Sequence, residues 1–463
     1  MISRRRFATP GALLALCAWL PLTAGSALGQ WSIPEELQAQ ASVLNKEQLE
    51  FVTSGAILDF IPERQLEHEL ATRDADNLRS LVDELMSLAD QMGYDPERDM
   101  GAAPLNLTSK SFNDPIPTPA PLRDPGREPG PFSVHRYLFP KSGVPTFGGA
   151  PVAVWPEDLV AGKVDVAIVG VPSNMSSGRR DAVNAPDEMR GLNTIAMPDV
   201  QSLVKPFETL SVVDYGDFSV DRMSTERAVH HVTAMVAETA GTGAIPMLVG
   251  GDTSMLYPGV SGVARVHGKE SFGLLHFSAH PDAEIHGDHT ISDRQALFLL
   301  LDEGIVKGSD TVQVGLRGPA VDADSLQWLR DKNVRYHTMA EFRERGSESV
   351  MERVLQEVDS GPGSFFVSID VSVVQPAEMV GAGRATYGGL PLEEVTHAIR
   401  HVCAAKQIVG FEITDVAPML DHSQLSVMHA NAVLNACLVG VAVRKAGLSP
   451  EYVHPLALDH GQR

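Results

Sequence analysis

Eight short apolar runs, separated by longer amphipathic stretches, recur between Val164 and Pro418 and set the limits on what this chain can fold into. They read VDVAIVGVP, LSVVDYGDF, IPMLVGGDTS, FGLLHFSAH, TVQVGLRG, VRYH, SFFVSIDVSVV and IVGFEITDVAP. Short continuous runs of β-branched and aromatic residues suit strands buried on both faces. The segments between them, such as Thr225 to Thr239, Leu392 to Ala405 and Ser426 to Ala446, carry apolar residues at helical spacing instead. The alternation predicts an α/β fold, a doubly wound and mostly parallel eight-stranded sheet with helices on both faces. Ligands of such sheets bind beyond the carboxyl ends of the strands. The polar clusters fall there: Asp214 to Asp217, Gly250 to Ser254, Ser278 to Asp282, Ser368 to Ser372, and Glu412 to Asp415.

The residues ahead of these runs have other characters. Arg4, Arg5 and Arg6 precede an apolar stretch from Gly11 to Leu22 and small residues ending at Gly29, the order of an export signal over residues 1–29, and Ser-Arg-Arg-x-Phe resembles the twin-arginine type. The apolar stretch is short for a bilayer span. Residues 30–100 read as a helical N-terminal extension, clearest where Leu78, Leu81, Val82, Leu85, Leu88 and Met92 recur at helical spacing, with Asp74 or Asp76 as the cap. Seven prolines from Pro115 to Pro131 mark a linker over residues 101–135, and the α/β domain occupies 136–463. Cleavage of the signal removes three arginines and no acids, taking the formal charge from -22 to -25. So acidic a chain disfavours nucleic acid and anionic membranes as partners and suits a cationic ligand. The two cysteines left, Cys403 and Cys437, form no disulfide framework, and the sequence alone assigns no bridge.

One stretch, FSAHPDAEIHGDH from Phe277 to His289, holds three histidines, two aspartates and a glutamate directly after an apolar run, the composition of a metal site. Two positions before His280, where a bridging carboxylate belongs in a binuclear centre, stands Ser278.

The ordered strings GVPTF, VAIVGVP, DYGD, LVGGD, AHPD, VGLRG, SIDVSVVQP, YGGL and DVAPMLDHS resemble the ureohydrolase superfamily, the arginases, agmatinases and their relatives, from about Val144 to the C-terminus. GVPTFGGAPVA is closer to the agmatinases. The resemblance implies a doubly wound α/β domain, assembly into trimers or hexamers, and hydrolysis of C–N bonds in guanidino compounds to urea and an amine at a two-manganese centre. It also implies six metal ligands: a His after Gly-Gly-Asp, the Asp, His and Asp of D-A-H-x-D, and two Asp in S-x-D-x-D. Three of those positions keep their ligand here, His280, Asp282 and Asp370, and three are substituted, by Thr253, Ser278 and Ser372. The family's catalytic glutamate falls on Asp415, one methylene shorter, and its downstream His-Gly on His286, with His289 competing. In the turn after Gly170-Val171-Pro172, Asp181 and Ala185 stand at glycine-like positions.

The retained residues leave three functions open. The first is a non-catalytic or partner subunit, homo- or hetero-oligomeric, in which neutral hydroxyls fill a vacated metal site. The second is a remodelled hydrolase in which His286, Asp288 and His289 join His280, Asp282 and Asp370 around one transition-metal ion. The third is agmatinase-type hydrolysis releasing urea, at a manganese centre. Each accommodates a small guanidino-type cation, and each places the protein in the periplasm after export. His397 and His401, four residues apart, read as a surface helix pair rather than as ligands.

Overall fold

The computed structural model describes residues 31–92, 127–135, 143–174, 181–192, 195, 197–221, 224–284, 291–319, 321–459 and 461. The expected export signal, most of the linker, and His286, Asp288 and His289 lie outside them.

The chain divides into two compact units, the first ending at Val82 and the second beginning at Asp83. In the first unit, helix α1 (Lys46–Thr53) starts at a reciprocal cap: Asn45 Oδ1 accepts the Gln48 N–H, and Gln48 Oε1 accepts the Asn45 N–H. Helix α2 (Glu63–Thr72) follows, and α3 (Ala75–Met92) begins in this unit. Asp74 Oδ1 accepts the Asn77 N–H, so Asp74 rather than Asp76 caps α3. Trp31, Val52, Ile57, Leu66, Leu70, Leu78 and Val82 form a small buried core.

The second unit is built on eight strands: β1 (Val166–Gly170), β2 (Val212–Asp217), β3 (Ile245–Val249), β4 (Gly273–Phe277), β5 (Thr311–Leu316), β6 (Arg335–Thr338), β7 (Ser364–Asp370) and β8 (Gln407–Thr414). Their order is β2-β1-β3-β8-β7-β4-β5-β6, and every pairing is parallel. The eight apolar runs thus form the eight strands, in one wholly parallel sheet. β1, β4 and β5 are buried at every position, which is why they read as continuous apolar runs rather than alternating ones. Five helices matter below: α4 (Ala185–Leu192), α5 (Thr225–Gly241), α6 (Leu256–His267), α7 (Leu392–Ala405) and α8 (Leu425–Lys445).

α7 and α8 pack closely and are joined by a disulfide, Cys403–Cys437, with Cα atoms 5.4 Å apart. Gly440 permits the approach, since a Cβ there would lie 2.5 Å from the Arg400 carbonyl oxygen. His401, on α7, sits 3.7 Å from Asp359 and 3.8 Å from Glu451, an ion-pairing position. At the middle of the sheet the carboxyl ends of β3, β8, β7 and β4 stand side by side, and each is followed by one of the polar clusters.

Candidate functional site

Asp370 ends β7 at the centre of this row and is fully buried. Its Oδ1 accepts the Ser372 N–H at 2.8 Å. Its Oδ2 accepts from Ser278 Oγ at 3.1 Å, after β4, and from Thr253 Oγ1 at 3.2 Å, after β3. Ser372 Oγ accepts the Ala279 N–H at 3.2 Å and lies 3.4 Å from His280 Nδ1. His280 Nδ1 is 3.8 Å from Asp370 Oδ2, and its Nε2 is 3.3 Å from Thr386 Oγ1. The six family-ligand positions therefore converge at the strand ends. The hydroxyls at the three substituted positions are committed to hydrogen bonds within the cluster.

Asp282, also fully buried, faces the same space with a positive φ of 49°. A non-glycine residue in that region is uncommon and is held there by its surroundings. His276 bonds Asp282 Oδ2 through Nε2 at 3.0 Å and Ser368 Oγ through Nδ1 at 3.0 Å, and Ser368 Oγ donates to Glu412 Oε1 at 2.6 Å. This string of buried polar groups runs across β4, β7 and β8. Burial pushes the Glu412 carboxyl up to about 8, against the Ser368 hydrogen bond, and its Oε2 has no hydrogen-bond partner. The raised value fits a neutral, protonated acid.

Two residues that the motifs did not point to complete the cluster. Arg384, from the loop after β7, inserts its guanidinium between the aspartates. Nη1 donates to Asp282 Oδ1 at 2.9 Å, Nη2 to Asp370 Oδ2 at 2.7 Å, and Nε lies 3.4 Å from Asp293 Oδ2. The Arg384 side chain is 12% exposed and that of Asp293 3%. Burial pushes Asp282 and Asp370 up, but the Arg384 charge, with His276 at Asp282 and His280 at Asp370, holds both below the usual carboxylate range. For Asp293 burial prevails over Arg384, leaving it raised to about 6. A single Arg flanked by glycine and alanine (Gly383, Ala385), and an aspartate eleven residues past Asp282 in sequence, were the only signals available.

Asp415 follows β8 with a φ of 67°, fully buried. Its Oδ2 accepts the Arg384 backbone N–H at 2.7 Å, and its Oδ1 has no hydrogen-bond partner. Burial and the nearby Asp370 charge raise its carboxyl well above the ordinary range. Asp415 thus joins the cluster through the main chain of the arginine loop. His286, Asp288 and His289 cannot be placed, lying outside the described residues, and among the described residues no group of three or more His, Cys, Asp or Glu has the arrangement of a metal site. Asp181, at one glycine-like position, keeps a φ of 114°, a conformation that favours glycine. Its side chain holds the turn by accepting from Met419 N and Asn184 Nδ2.

Residues 164–440 match the model of the arginase family. Guanidinobutyrase of Pseudomonas aeruginosa is 28% identical over 65% of this chain and 96% of its own length. Proclavaminate amidinohydrolase from Streptomyces clavuligerus superposes with a TM-score of 0.59 at 25% identity, over 65% of this chain and 98% of that one. Formiminoglutamase of Trypanosoma cruzi, solved with Mn2+, shares the fold at a TM-score of 0.54 and 20% identity, over 61% of this chain and 95% of that one.

Proposed function

Because the chain belongs to the arginase family, we propose that it is an exported, non-hydrolytic member that keeps the family's fold and carboxylate-lined crevice and acts as a binding or partner subunit. The observation that carries this reading is the engagement of Asp370 Oδ2, which takes hydrogen bonds from Thr253, Ser278 and Arg384 where a metal ligand would offer its lone pairs.

Two divalent ions bring four positive charges and need a matching set of carboxylate and imidazole donors around a shared, acidified water. Ser278 and Ser372 take two carboxylates out of that set, and Thr253 takes out an imidazole. Neutral hydroxyls cannot offset the charge of the ions, and the positive charge that the remaining aspartates need comes from Arg384. The donor set does not fit a two-manganese centre.

Export is supported by the Cys403–Cys437 bridge between α7 and α8, because such pairs persist in oxidising compartments and are rare where thiols are kept reduced. It is supported also by the N-terminal order of arginines, apolar run and small residues.

The test is to recover the mature protein from the cell envelope without added metal, determine its N-terminus and metal content per chain, and assay urea release from guanidino acids and agmatine. A processed chain with no metal and no urea supports the reading. About two manganese with urea release would restore the ordinary hydrolase, and about one transition metal would identify the remodelled site built with His286, Asp288 and His289.

A further inference from the structure

Four carboxyl groups face one another at the carboxyl ends of the central strands: Asp282, Asp293, Asp370 and Asp415, all of them buried. Charged groups shut away from water to this degree require a compensating charge. Among the described residues the cation that meets Asp282, Asp370 and Asp293 together is the guanidinium of Arg384.

Its delivery is built into the chain. The loop from Gly381 to Tyr387 is anchored on the α8 side by the Gly381 N–H to Ser426 Oγ at 2.8 Å. The Ala417 N–H donates to the Gly381 carbonyl at 2.7 Å, and the Gly383 N–H to the Asp415 carbonyl at 2.9 Å. On the far side Arg317 donates to the carbonyls of Thr386 and Tyr387, both at 3.1 Å. Gly383 cannot be another residue without movement, because a Cβ there would lie 2.5 Å from Asp415 Oδ1. The backbone thus presses against the acid, and the next side chain is aimed into the cage. Its two terminal nitrogens reach two different carboxylates, an arrangement a planar guanidinium supports and a point charge does not reproduce in full.

We propose that Arg384 is the resident cation of this crevice, standing in for the metals of the family, and that it closes a latent divalent-cation site made of Asp282, Asp293, Asp370 and the neighbouring His280. This rests on the reading that the native protein holds no metal pair, and it adds the reason the vacated centre stays folded. The carboxylate oxygens are hard donors suited to manganese, magnesium or calcium. An ion and the guanidinium compete for the same oxygens, so the site is open only when the arginine is withdrawn.

The experiment compares the mature wild type, Arg384→Gln and Arg384→Lys by thermal melting in chelator and in millimolar manganese or calcium, with calorimetric titration of the same ions. We expect the wild type to melt alike in both conditions and to bind no ion, and Arg384→Lys to follow it with a small loss. Arg384→Gln should melt roughly 5 °C or more lower in chelator, recover most of that with either ion, and bind about one ion per chain. An Arg384→Gln protein as stable as the wild type in chelator, or one unmoved by the ions, overturns the proposal. So does a wild type that gains as much from manganese as the variant does. If Arg384→Gln fails to fold, Arg384→Gln/Asp282→Asn/Asp370→Asn decides. Folding of that triple variant supports unpaired charge as the cause, and its failure beside a folded Asp282→Asn/Asp370→Asn overturns it. Urea release by the wild type would sink the non-hydrolytic reading alone, whereas an ion-insensitive Arg384→Gln in a metal-free wild type sinks this one alone.

Discussion

Two arginines are clasped by aspartates at the strand ends of this domain, and they are solved differently. Arg190, on α4, bonds Asp214 through Nε at 2.8 Å and Nη2 at 3.0 Å, Asp217 through Nη1 at 2.7 Å, and the Gly216 carbonyl at 2.9 Å. Its guanidinium also lies 4.3 Å from the centre of the Phe147 ring. Here one cation meets one buried carboxylate, Asp214, and two that reach solvent, Asp217 at 37% exposed and Asp187 at 82% exposed. Arg384 meets three carboxylates that are nearly or wholly buried and hydrogen-bonds a fourth through its main chain. The first clamp leaves its excess negative charge on acids that reach solvent. The second has more buried acid than one guanidinium neutralises, and burial raises the carboxyls that are left over, Asp293 to about 6 and Asp415 well above the ordinary range.

The contrast is broken most directly at Arg190. Replacing it with Gln strands the buried Asp214, a loss of about 3–5 kcal/mol for a broken buried pair. Urea denaturation in chelator and in manganese should give the same loss, because Asp214 and Asp217 do not form a cage. Rescue of Arg190→Gln by the ion would mean that any unpaired aspartate in this protein draws a metal, and the distinction between the two clamps would be gone.

A smaller effect tests the protons. Glu412 titrates at about 8 in the folded chain against 4.5 ordinarily, so between those values the folded state binds more protons than the unfolded one. Stability should therefore fall as pH rises through that window, by about 1.4 kcal/mol per pH unit, and level off above about pH 8. Glu412→Gln keeps the shape and the Ser368 contact and removes the titration. Denaturation at pH 6 and pH 8 should show the wild type losing about 2–3 kcal/mol more than the variant. Parallel slopes would show that Glu412 is already charged.

Most of the fold was legible because burial on both faces leaves each strand a continuous apolar run, and because the crossovers are helices long enough to show their period. The convergence of Thr253, Ser278, His280, Asp282, Asp370 and Asp415 was legible for the same reason, since each closes or follows a strand. Arg384 and Asp293 were not. They sit in loops, where no period marks which side chain turns inward, and their role depends on carboxylates that come from other strands. The Cys403–Cys437 bridge was hidden likewise, because pairing across two helices depends on how α7 and α8 pack. Asp181 shows the converse: a residue other than glycine holds a backbone conformation that favours glycine, which its residue type gives no hint of.

The smallest effect lies at Ser278 and sharpens the comparison by its sign. Its hydroxyl donates to Asp370 and accepts the His280 N–H at 3.0 Å. Ser278→Ala removes one hydrogen bond to a charged acceptor and should cost about 1–2 kcal/mol. Ser278→Asp restores the residue the family carries, a change that in most proteins leaves stability level or higher. Here it places another buried carboxyl beside Asp370, where Arg384 is already shared, and should cost more than the alanine in chelator. Paired with Arg384→Gln, the same Ser278→Asp becomes an added ligand and should tighten manganese binding. If aspartate proves milder than alanine in the presence of Arg384, the cage has room for further negative charge, and its surplus of acid is not what distinguishes it from the clamp at Arg190.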